Sequence, residues 1–86
     1  MSQLDQVKQQ VNQVANDARN TAGALAGFSQ KFSTAISQVN ASIGGTAKGT
    51  DKQLIATLQA AEKQVKAAVD ALQKAAGDAQ SWAQQA

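Results

Sequence analysis

Apolar residues recur through the first half of the chain in alternating steps of three and four. They are Leu4, Val7, Val11, Val14, Ala18, Leu25, Phe28, Phe32, Ala35, Ile36 and Val39, with Thr21 filling the one gap. This is the period of an α-helix that buries one side. Leu4, Val11, Ala18, Leu25, Phe32 and Val39 fall seven apart, the spacing of a coiled-coil seam. The spacing predicts a helix over about residues 3–42, about 60 Å long at ~1.5 Å per residue. Ser2 followed three residues later by Asp5 fits the start of that helix, with the Ser2 hydroxyl placed to accept from a free backbone N–H.

The same alternation returns at Leu54, Leu58, Ala61, Val65, Ala68, Leu72, Ala75, Ala79, Trp82 and Ala86. Ile55 and Val69 widen this stripe, as suits a helix packed against two neighbours. A second helix is predicted over about 51–84, with a capping box at Thr50 and Gln53 and with Asp51 near the positive end of its dipole. Its other face carries Lys52, Gln59, Lys63, Lys66, Asp70, Gln73 and Lys74 and reads as solvated. After Leu72 the stripe thins to alanine around Gly77, so the end frays unless Trp82 is docked.

Between the two periodic stretches, residues 43–50 hold three of the six glycines. Gly44 and Gly45 supply the left-handed backbone that closes a helix. The fold class is therefore all-α: an antiparallel two-helix hairpin in a single domain, residues 1–86. The absence of Pro, the abundance of Ala and Gln, and the scarcity of β-branched and aromatic residues agree with it.

Two helices side by side leave most of their circumference in water. A lone hairpin of this size is marginal, and a partner is implied, with two hairpins forming a four-helix bundle. The residues expected in the core or interface are Leu4, Val7, Val11, Val14, Leu25, Phe28, Phe32, Ile36 and Val39 on the first arm. On the second they are Leu54, Ile55, Leu58, Val65, Val69, Leu72 and Trp82. Phe28 and Phe32, one turn apart, read as core anchors. Trp82 reads as a packing anchor near the open end, or else as an exposed recognition residue. Gly23 and Gly27 read as a close approach to another helix or as a bend. The alternative, a membrane dimer motif, is opposed by Arg19, Asn20, Gln30 and Lys31 nearby.

Chemistry is sparse. The chain has no His, Cys or Tyr, which excludes the usual nitrogen and sulfur metal sites and leaves a hydroxyl nucleophile without a His base. The six carboxylates are scattered, so no enzyme activity and no cofactor are expected. Gly44 to Thr50 has the residues of a phosphate-binding loop but not its order, since Lys48 is followed by Gly49 and the segment follows a helix. A net charge of +2 is too small to argue for nucleic acid. No apolar run approaches a membrane span, and the start of the chain lacks a secretory signal. Polar faces rich in Gln and apolar ones rich in Ala and Val speak against a membrane-surface helix.

The turn carries a resemblance. A helical hairpin hinged near its middle at Trp-x-Gly is the hallmark of the early-secreted-antigen-like proteins of bacterial type VII (ESX) secretion. This chain resembles that family, with Ile43-Gly44-Gly45 in place of Trp-x-Gly. The resemblance implies a secreted substrate, or a carrier for a larger one, that dimerises with itself or with a sister hairpin. It also implies that Ile43 packs against the start of the second arm near Leu54 or Ile55. The family's Tyr-x-x-x-Asp/Glu export signal is missing, which implies export on a partner that carries the signal, or loss of export. The competing expectation is an intracellular coiled-coil adaptor unrelated to secretion.

Overall fold

A computed structural model describes residues 2–43 and 49–86, the side chain of Thr50 excepted. Two α-helices, α1 (Gln3–Ile43) and α2 (Gly49–Gln85), pack against each other as a hairpin, with no strand among the described residues. The molecule is a rod of 67 × 17 × 14 Å with a radius of gyration of 19.3 Å. A compact chain of this length would have a radius near ~12 Å.

Helix α1 starts on Ser2, whose Oγ accepts from the backbone N–H of Asp5 at 3.1 Å. Ile43 belongs to α1, and Gly49 and Thr50 belong to α2. The cap expected at Thr50 is therefore not at the helix boundary. The left-handed turn expected at Gly44 and Gly45 lies outside the described residues. The helices are continuous although some hydroxyls bond back to the helix backbone. Thr34, Ser42 and Thr57 each donate to the carbonyl four residues earlier, at 2.9–3.0 Å.

The seam between the helices is built from two columns per helix, each with a seven-residue repeat. In α1 these are Lys8, Ala15, Ala22, Ser29, Ile36 and Ile43, flanked by Val11, Ala18, Leu25 and Phe32, all buried or half-buried. In α2 they are Ile55, Glu62, Val69, Ala76 and Ala83, flanked by Asp51, Leu58, Val65, Leu72 and Ala79. Among the described residues the buried apolar side chains are Ala15, Ala22, Ala76, Ala83 and Ile36, and Ala76 has no exposed surface at all. Glu62 enters the seam because its stem covers apolar surface while its carboxylate reaches Lys66 Nζ at 3.2 Å.

The glycines correct one expectation. A Cβ added at Gly23, Gly27 or Gly77 would meet nothing within 4 Å. Gly23 and Gly27 are exposed, on the side of α1 away from the seam. They make no close approach within the hairpin, and α1 continues as helix through both.

Candidate interaction surface

The side chains singled out from the apolar pattern divide between two places. Val11, Leu25, Phe32, Ile36 and Ile43 of α1 lie at the seam, as do Ile55, Leu58, Val65, Val69 and Leu72 of α2. Leu4, Val7, Val14, Phe28, Val39, Leu54 and Trp82 are instead exposed large apolar residues. Within one chain they are not core. Val14 is 61 % exposed, Phe28 52 % and Trp82 44 %.

The repeat explains the division. Each helix carries three adjacent apolar columns, and the hairpin uses only two. In α1 the column left out is Val7, Val14, Thr21, Phe28 and Ala35. In α2 it is Leu54, Ala61, Ala68, Ala75 and Trp82. Every residue of both columns is exposed. The stacked pair of Phe28 and Phe32, with ring centroids 5.6 Å apart and planes 14° apart, spans the step from seam to surface. Phe32 is half-buried and Phe28 faces out.

Contacts across the seam place both outer columns on the same side of the hairpin. Arg19 donates through Nη2 to Oε1 of Gln80. Each of these residues follows directly after a half-buried seam residue, Ala18 or Ala79, and so marks one flank of the seam. Ala26 and Lys66 line one hollow on that flank, and Asn40, Lys52 and Gln59 line another. The outer columns, one step to the other side of the same seam residues, border the opposite flank, as equivalent positions do in an antiparallel pair. Leu4 and Val7, in the first two turns of α1, are exposed.

Ile43 is half-buried and lines a hollow with Ile55, Asp51 and Asn40 at the turn end of the polar flank. Leu54 borders the other flank. Of the two neighbours expected for Ile43, Ile55 is the one that shares its hollow.

The charged groups offer little further chemistry. Lys74 pairs with Asp78 at 2.9 Å in the open. The hydrogen bond that Lys74 Nζ donates to Asp78, and then the carboxylate's charge, raise the Lys74 pKa above the ordinary value. No three metal-ligating side chains cluster among the described residues. No described helix is long and apolar enough to cross a membrane. No buried side-chain polar atom among them lacks a hydrogen-bond partner. Glu62 is, with Ser29, Ala15, Ala22, Ala76 and Ala83, among the seam residues the apolar pattern misses. Its signal was its place seven residues from both Ile55 and Val69.

No family model matches this chain, and neither the curated proteins nor the solved structures give a match.

Proposed function

We propose that this protein is a non-enzymatic interaction module that completes its fold by pairing with a second hairpin, itself or a sister chain, into a four-helix bundle. The observation that carries this is incomplete burial. Among the described residues the buried apolar side chains are four alanines and Ile36, the larger seam residues are half-buried, and Val14, Phe28, Leu54 and Trp82 stand in water. Hydrophobic stabilisation scales with the apolar surface buried, at about 25 cal/mol per Å², so such a seam gives little. The large side chains contribute only when something covers them. No cofactor enters this role.

Within that role, we propose a place in type VII secretion, as exported substrate or as carrier for a larger secreted protein. Support comes from the mid-chain turn at Ile43-Gly44-Gly45 and from the hairpin form. Gly44 and Gly45 themselves lie outside the described residues. The test is export. Produced in a bacterium with a working type VII system, the protein is expected in the culture filtrate, and it should be lost from there when the system's membrane ATPase is deleted. Retention inside the cell in both strains, even with a sister hairpin co-produced, would leave the intracellular adaptor as the better reading. One observation favours that alternative: the hinge position holds Ile43 instead of Trp.

A further inference from the structure

The two flanks of the seam differ in charge as well as bulk. The flank marked by Arg19 and Gln80 also carries Asp5, Lys52 and Lys66 in the columns beside the seam. The two columns beside the other flank hold no charged residue along their whole length. We infer that this uncharged flank, with Phe28 midway along it and Trp82 toward its open end, is the face on which a second copy of this chain docks. This rests on the self-association proposed above and adds which face is used and which partner.

Two observations favour a copy of the same chain, and the rod has surface to spare: it exposes 6177 Å² over all its faces, against about 4,800 Å² for a compact monomer of its mass. The first is charge. A symmetric dimer lays one patch against itself, so a charged column risks meeting its own sign across the contact. This face carries nothing that would repel its copy, and nothing that would select a differently charged partner. The second is anatomy. Phe28 and Trp82 are aromatic anchors set among Val14, Leu54 and alanines, while Asp17, Lys31 and Asp78 stand one column further out as a polar rim.

Sedimentation velocity on the full chain at micromolar concentration tests this, with Phe28→Glu set against Ala26→Glu. Both residues are exposed on α1, Phe28 on the uncharged flank and Ala26 on the charged one. The expected result is a dimer for the parent and for Ala26→Glu, and loss of the dimer for Phe28→Glu. A dimer that survives Phe28→Glu, or that dissociates only with Ala26→Glu, overturns the choice of face and leaves self-association standing. A parent that stays a folded monomer at every concentration overturns both. Should Phe28→Glu fail to fold, Trp82 decides within the parent chain. Its fluorescence is expected to shift to the red, and to become more open to acrylamide quenching, as the dimer is diluted apart. A Trp82 equally quenched in dimer and monomer overturns the proposal.

Discussion

The two flanks of this hairpin are built on the same repeat and come to opposite ends. On one, Arg19 reaches across to Gln80, and charged side chains stand in water. On the other, Val14, Phe28, Leu54 and Trp82 are exposed with no charge among their columns. The seam between them buries only small side chains and Ile36 among the described residues, while larger ones such as Leu25, Phe32, Leu58 and Leu72 are half-buried. Helix formation fixes which residues share a column, but it does not decide which columns meet. Part of the chain's hydrophobic surface is left on a face that its own fold does not cover.

The sharpest way to break this comparison is to disturb the seam. Ile36→Ala should cost about 2–5 kcal/mol, because Ile36 is the one large buried side chain there. Ala76→Leu should cost about 1–3 kcal/mol, since Ala76 has no free surface into which a larger group can grow. Denaturant melts measure both. If Ala76→Leu were neutral or stabilising, the seam would be loosely packed there.

The next test sharpens the comparison by making the seam more apolar. Glu62 occupies a seam column between Ile55 and Val69, with only 18 % of its side chain exposed. Glu62→Leu should raise stability by about 1 kcal/mol from added apolar burial. That gain outweighs a Glu62–Lys66 pair worth about 0.3–0.5 kcal/mol on a helix surface. A lower melting point would mean that the carboxylate has a structural role the seam depends on.

Smaller still is the effect at the back of α1. Gly27 is exposed, and a Cβ there meets nothing. Gly27→Ala should stabilise by about 0.5–1 kcal/mol through the lower helix propensity of glycine. A loss instead would show that this side is covered, moving the docking surface away from the uncharged flank. The smallest change is expected at the solvated face, where Lys63→Ala should shift stability by less than about 0.5 kcal/mol.

The hairpin was legible in the sequence for a simple reason. The three-four alternation runs almost unbroken from Leu4 to Val39 and again from Leu54 to Ala86, and no Pro interrupts it. The assignment of faces was harder to read. Hydrophobic weight draws attention to Val7, Val14 and Phe28, while the seam uses Ala15, Ala22 and Ser29, which carry no hydrophobic signal of their own. Only Ile36 and Ile43 in that column look like core. Ile55 and Val69 hinted at the equivalent column in α2, but Glu62 and the alanines hid its continuity. Gly23 and Gly27 misled in the opposite sense, since four-residue spacing of glycine suggests contact where the structure leaves open space.

If the exposed apolar flank adds stability only when a second hairpin covers it, folding and pairing are linked, and thermal melting at several protein concentrations reveals the link. Circular dichroism of the parent chain, over a hundredfold or wider range of concentration, should show a melting temperature that climbs with concentration, as mass action requires. A cooperative melt at one temperature across the whole range would contradict this. The seam would then be sufficient by itself, and the exposed flank would contribute nothing to the fold.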